Sequence, residues 1–262
     1  LSGIEIENYL SVIRQRLDDL GIDYSGVWSR EDGRIVVDLP GMDPESEVFN
    51  LIGQVSKLEF RLVNEEHNAF EVNQTGKIPS GSVLLYMKDG APVLLNETIL
   101  MTGDHIVNAK AGYDNQFGRP TIQIELDDAG RKKFYKTTSN NIGKLMGIVY
   151  IHSESIIENL SSGPNVEAIV KKEVISIASI RQGLGSRFEI SGMDNAEETK
   201  MLAVMLRAGS LKETLVLVEK RPLPEDEVED YYLRIVLYLI GFVVFAVVFI
   251  VFAILVTKKR DK

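Results

Sequence analysis

Ile6, Leu10, Ile13, Leu17 and Leu20 are apolar, with mostly polar residues between them. Their spacing of three and four places them on one face of a helix, and Gly21 supplies a stop. Arg34 to Leu39 (RIVVDL) has the pattern of a short buried strand, ended by Pro40-Gly41. Asp43 and Pro44 then predict an N-cap and a first helical position. Val48, Leu51, Ile52 and Val55 form the apolar face of that helix. Leu58, Phe60 and Leu62 alternate with Lys57, Glu59 and Arg61, as in a half-exposed strand. The opening reads α-β-α-β, with helices packed against a sheet.

Residues 64–82 are polar and carry Gly76, Pro79 and Gly81, which predicts an irregular stretch. Val83–Tyr86 and Val93–Leu95 flank Asp89-Gly90, a hairpin signal. Ile122, Ile124 and Leu126 alternate along a strand from Thr121. Asp127 or Asp128 caps a following helix that runs towards Asn141. Leu145–Ile151 and Val174–Ile180 are expected strands, and Phe188 with Ile190 marks another, ended by Gly192. Asp194 opens an acidic first turn that suits a helix dipole. Leu202 and Leu206 line that helix, Gly209 closes it, and Leu215–Val218 is a last strand.

Ile235 to Val256 is a run of 22 residues without a charged side chain. At helical rise it spans roughly 33 Å, enough to cross a bilayer core. Acidic residues between Glu225 and Asp230 precede it, and Lys258, Lys259, Arg260 and Lys262 follow. The basic side stays cytoplasmic, so residues 1–230 are expected outside. Tyr231, Tyr232 and Tyr238 suit the outer interface.

The remainder has the composition of a water-exposed domain in a chain of 262 residues. A net charge of −9 and the lack of a basic aromatic stripe argue against nucleic acid. The sequence contains no cysteine, so a disulfide framework and a thiolate metal site are excluded. The chain begins at Leu1 without a signal peptide, so another segment is expected before it.

Several segments, taken in order, resemble the first extracytoplasmic domain of the SecD family of protein-export subunits. They are IRQRLDDLG (Ile13–Gly21), RIVVDLPG (Arg34–Gly41), KLEFRLV (Lys57–Val63) and MTGDHI (Met101–Ile106). IELDDAGRKKF (Ile124–Phe134), NNIGK (Asn140–Lys144), FEISGM (Phe188–Met193) and MLRAGSL (Met205–Leu211) continue the series. The resemblance implies an α+β fold: a ferredoxin-like α/β base, an inserted α+β head subdomain and, here, one transmembrane helix. The base is expected over 1–98 and 194–221, with the head over 99–193. An acidic linker follows at 222–234, then the span at 235–256 and a basic cytoplasmic tail at 257–262. The family's membrane bundle and its Gly-Pro segment are not matched after Arg221. No acidic or basic residue lies between Ile235 and Val256, so the family's proton path is not expected in this span.

The implied partners are SecF, the SecYEG channel, unfolded preprotein and the lipid bilayer of the bacterial inner membrane. Late steps of export would involve binding and releasing the emerging polypeptide. Gly103 and Gly192, at the expected head boundaries, are candidate hinge residues, and the residues that contact substrate are unknown. Gly21, Gly41, Gly103, Gly192 and Gly209 are all expected at left-handed turn positions.

No cofactor and no enzymatic activity are expected. His67, His105 and His152 lack the convergent spacing of a zinc site. Gly183-Leu184-Gly185 lacks the third glycine of a dinucleotide loop. No G-x-S-x-G elbow is present, which leaves an envelope hydrolase without a site. A single-pass receptor or assembly protein that binds a fixed folded partner is the competing reading.

Overall fold

The computed structural model describes residues 3–43, 46, 48–115, 117–160, 163–193, 195–209, 211, 213–215 and 219. The expected span at 235–256, the linker and the tail lie outside them. Among the described residues, no helix is long and apolar enough to cross a membrane. Two compact units emerge: Leu1–Ile22 with Glu47–Val218, and Asp23–Ser46 with Glu219–Lys262.

The first helix, α1 (Gly3–Leu20), buries Tyr9, Leu10, Ile13 and Leu17 as its spacing predicts. Arg16 lies on the same face and is fully buried. The smaller unit contains β1 (Gly26–Ser29) and β2 (Ile35–Asp38), an antiparallel pair with Trp28 opposite Val36. This corrects the expected single sheet: the 34–39 strand is half-buried and pairs only with β1 among the described residues. The four residues of β1 gave too short a pattern to read.

Next come α2 (Val48–Gly53) and β3 (Ser56–Val63). Pro44 and Glu45 lie outside the described residues, so the expected cap at Asp43–Pro44 is not placed. The stretch expected to be irregular holds a short helix, α3 (Ala69–Thr75). The Asn68 side chain accepts from the N–H groups of Phe70 and Glu71, and Gly76 ends the helix at φ 66°. β4 (Ser82–Met87) and β5 (Pro92–Thr102) form the predicted hairpin around Asp89-Gly90.

A 3-10 turn at Gly103–His105 leads into β6 (Ile106–Tyr113), which pairs with β7 (Pro120–Leu126). Asp127 caps α4 (Asp128–Ser139) by accepting from the Gly130 N–H at 2.6 Å. β8 (Leu145–Leu160) and β9 (Gly163–Ser179) are each far longer than expected. β10 (Arg187–Ile190) and α5 (Ala196–Arg207) complete the order. Asn195 caps α5, while Asp194 lies outside the described residues. Leu215 is not in a strand, although its N–H donates to the Gly53 carbonyl at 2.9 Å. The rest of the expected last strand, Val216–Val218, lies outside the described residues.

Strands β3, β5, β4, β9 and β8 close into a barrel in that order, and β10, β7 and β6 form a second, three-stranded sheet. Alternation along β3 explains how the two are joined. Leu58 and Phe60 point out of the barrel into a core shared with Ile122, Ile124, Phe134, Ile148, Ile190 and Leu206. Phe60, Phe134 and Phe188 meet there with ring centroids 5.1–5.7 Å apart, a spacing that favours edge-to-face packing. Val93, Leu95, Val149, Ile151 and Val174 fill a second core together with Val63 and Val83. β3 pairs with β8 from Ser56–His152 to Leu62–Met146. Strands on either side of residue 99 thus share one barrel.

Candidate functional site

The element with most unpaired backbone is the β8–β9 hairpin. Its register runs unbroken from Val149–Val174 to Leu160–Gly163. The neighbours stop much earlier. On the outer edge of β8, β3 reaches only His152. On the outer edge of β9, β4 pairs only at Glu173 and Val174. From Ser153 to Leu160 and from Gly163 to Lys172, therefore, the hairpin is an arm with no strand beside it among the described residues. Such edges present alternate N–H and C=O groups that another extended chain can pair with. Ile169 and Val170, at the near end of the arm, are exposed. Lys171 and Lys172 follow them, and lysines on an edge discourage indiscriminate self-pairing.

The root of this arm is a polar cluster inside the larger unit. Ser153 is buried, and its Oγ accepts from the Val55 N–H at 2.9 Å. Ser56 Oγ donates to Tyr150 Oη at 3.4 Å, and Tyr150 stacks on His152 at 4.9 Å. Burial pushes the Tyr150 phenol up, partly offset by the Ser56 hydrogen bond and the Arg16 charge. Arg16 donates to the carbonyls of Ile52 and Gln54 at 2.8 Å, and to those of Leu51 and Gly209 at 3.2 and 3.3 Å. These are the carbonyls at the end of α2 and after α5, where helix ends favour a cation. Burial pulls the guanidinium down to about 10, so it keeps its charge at neutral pH.

The candidate hinge residues lie in different surroundings. Gly192 has φ 95°, within the region that glycine adopts freely. Gly103 does not have a positive φ, which corrects that expectation. It opens the 3-10 turn, and a Cβ there would lie 3.2 Å from the Leu58 nitrogen, so close approach to β3 explains the glycine. Gly21, Gly41 and Gly209 do have positive φ.

His105 meets Asp127 at 3.2 Å, and its carbonyl accepts from the Asp127 N–H at 2.9 Å. The GDH turn is thereby fastened to the start of α4. The Gly130 N–H and then His105 hold the Asp127 carboxyl below the usual carboxylate range. His67 lies beside Asn64 and His152 beside Tyr150, so the structure brings none of the three histidines together.

Sequence reasoning missed the arm and Arg16. Ser153–Val170 mixes serines, glutamates and isoleucines without period-two alternation, so it gives no strand signal. Arg16 had a signal: it is three residues from Ile13 on the apolar stripe.

A family described as "SecDF, P1 head subdomain" matches residues 82–213. A second, "Protein translocase subunit SecDF, P1 domain, N-terminal", matches residues 6–65. Protein translocase subunit SecD of Escherichia coli K12 is 32% identical over 216 residues, covering 82% of this chain and 35% of that protein. The subunit of Desulfurispirillum indicum is 29% identical over 235 residues, covering 84% of this chain and 41% of its own. The chain thus spans little more than a third of the curated relatives it matches. Among solved structures, one described as that of a membrane component SecDF that enhances protein export superposes with a TM-score of 0.60. It is 27% identical, and the match covers 85% of this chain and 95% of that one. SecDF in a super-membrane-facing form gives a TM-score of 0.60 at 26% identity, over 84% of this chain and 28% of its own.

Proposed function

The chain belongs to the SecD family, as a first extracytoplasmic (P1) domain, and from that premise we propose that it assists late steps of preprotein export by binding and releasing the emerging polypeptide. It acts without enzymatic chemistry, on the outer face of the bacterial inner membrane, in company with SecF and the SecYEG channel. The observation that carries the reading is the β8–β9 arm, whose two edges continue past the ends of β3 and β4. A polypeptide leaving a channel is extended, and its backbone groups are unpaired. Strand addition to an open edge satisfies those groups whatever the sequence, which suits a ligand of variable composition. Residues 99–193 do not move as one head against residues 1–98, because β3 and β4 share a barrel with β8 and β9. Gly192 is the better hinge candidate for release, because its φ already lies where other residues resist.

A photo-crosslinking residue at Val170, in a full-length subunit that carries this domain, tests the proposal. With a preprotein stalled during export, crosslinks to diverse preproteins are expected from Val170 and not from Lys57 on the barrel. Crosslinks to a single folded protein would instead support the receptor reading and end this one.

A further inference from the structure

We infer that a second polypeptide site lies along the free edge of β6, and that it takes an extended segment bearing acidic side chains. The inference rests on the polypeptide-binding reading above and assigns it a further set of residues. β6 is the last strand of its sheet, with β7 on one side and no strand on the other among the described residues. A groove of about 440 Å³ runs between this edge and α5, a size within the usual range for ligand sites.

Register explains why the groove exists. Ala109 and Ala111 stand opposite Ile124 and Ile122, so they face the core side of the sheet. Ala109 is covered, but Ala111 and Tyr113 project beyond the cover and remain exposed. Across from them, α5 presents the small side chains of Ala196 and Ala203. A chain laid against β6 thus meets backbone groups on one side and a shallow apolar floor beneath.

Charge then selects the occupant. At one end, Arg207 is held by Asp19 through contacts of 2.6 and 2.7 Å and reaches the Ala109 carbonyl at 3.5 Å. That pair is internally neutral and closes the groove there. Further along, Lys110 and Lys200 line the groove, and neither has an ion-pair partner among the described residues. Glu197 is the one opposing charge on the remaining lining, so the site is net positive on a chain whose total is −9. Alternation in an added strand would send every second side chain towards the floor and the others outwards. Small apolar residues alternating with glutamate or aspartate fit both requirements.

Fluorescence anisotropy on the whole chain tests this with two labelled hexapeptides, one alternating valine with glutamate and one alternating valine with lysine. The glutamate peptide is expected to bind about tenfold more tightly, a difference of 1.4 kcal/mol. The double variant Lys110→Glu/Lys200→Glu should reverse the preference. Ala111→Phe should weaken both peptides by filling the floor. These residues are exposed, so unchanged circular dichroism and thermal midpoints are expected. A reduced and alkylated, permanently unfolded protein serves as a third probe. If it binds while the peptide preference is absent or survives both variants, the groove assignment falls and the export reading stands. If neither the unfolded protein nor the peptides bind, both fall together. Concentration-dependent self-association abolished by Ala111→Phe would give the groove to a second copy of the chain and overturn the peptide assignment.

Discussion

Arg16 shows how one side chain can hold several chain segments. It is fully buried and bonds four backbone carbonyls from two places in the chain. Replacing it with methionine removes a donor from each of those carbonyls, of which Leu51 keeps the Gln54 N–H at 3.3 Å. Hydrogen bonds to a charged group are worth about 1.5–3 kcal/mol each and are not additive, so a loss of about 3 kcal/mol is expected. Arg16→Lys should recover only part of it, because an ammonium lacks the planar fork that reaches several acceptors. Urea denaturation measures both. Gly130 is a second such position: an added Cβ would sit 2.4 Å from His105 Cβ. Gly130→Ala should therefore cost about 1–3 kcal/mol through overpacking. Asp127, beside it, gives a pH prediction. Its folded carboxyl titrates below the unfolded value of about 3.9, so its stabilising effect is complete above that value. The effect is lost as pH falls through the lower folded value. A carbon-13 titration of the Asp127 carboxyl should place its midpoint below the unfolded value, and Gly130→Ala, by moving the donor, should raise it. The capping role was legible in sequence as one of Asp127 or Asp128, since aspartate is a favoured N-cap residue. The contact of Asp127 with His105 was not, because those residues are 22 positions apart.

At the scale of elements, strongly patterned pieces were readable and weakly patterned ones were not. α1, β3, β7 and α5 each carry an apolar face that is buried in the structure, while the β4–β5 hairpin was read from its Asp89-Gly90 turn and α4 from its aspartate cap. β6 was missed because only Ala109 is buried along it. An edge strand with little to bury writes little into its sequence. The arm was missed because its sequence lacks a regular alternation, and its stability is local because its outer edges have no flanking strand among the described residues. In β8, residues up to His152 have a strand on each side, and those beyond have one. Native-state hydrogen exchange should find slow amides at Ile148–Ile151 and much faster ones in Ile156–Leu160. Shortening the hairpin by joining Ser153 to Val170 through Asn-Gly would keep the barrel register from Leu145–Ser179 to Ser153–Val170. The expected result is a thermal midpoint within a few degrees of the parent, with binding of unfolded polypeptide reduced at least about tenfold. Unchanged binding would remove the arm from the proposed function.

At the scale of the molecule, the α+β class was legible, but the closure of the barrel was not. Closure depends on Tyr86–Glu173 and Met87–Val174, two parallel pairs between strands more than 80 residues apart, and no local pattern specifies such a pairing. The ends of the larger unit are stitched in the same non-local way. Arg207 on α5 pairs with Asp19 on α1, the Gly209 carbonyl accepts from Arg16, and the Glu213 N–H donates to Tyr9 Oη at 3.2 Å. α1 thus closes the unit from its N-terminal end. It also buries Tyr9, Leu10, Ile13 and Leu17. At about 1.5–3 kcal/mol for each fully buried side chain, these four contribute roughly 6–12 kcal/mol before the cost of ordering the helix. That is comparable to the whole stability of an ordinary domain, about 5–15 kcal/mol. Removing residues 1–22 should therefore abolish the cooperative unfolding transition of the larger unit, although β3, β8 and the barrel core are untouched in sequence. Urea titration followed by circular dichroism is the measurement. Adding residues 1–22 back as a separate peptide should restore the transition in a concentration-dependent way, and an Arg16→Met peptide should do so less well. A shortened chain that unfolds with the same midpoint and the same denaturant slope would mean that α1 is peripheral, and the closure argument would have to be given up.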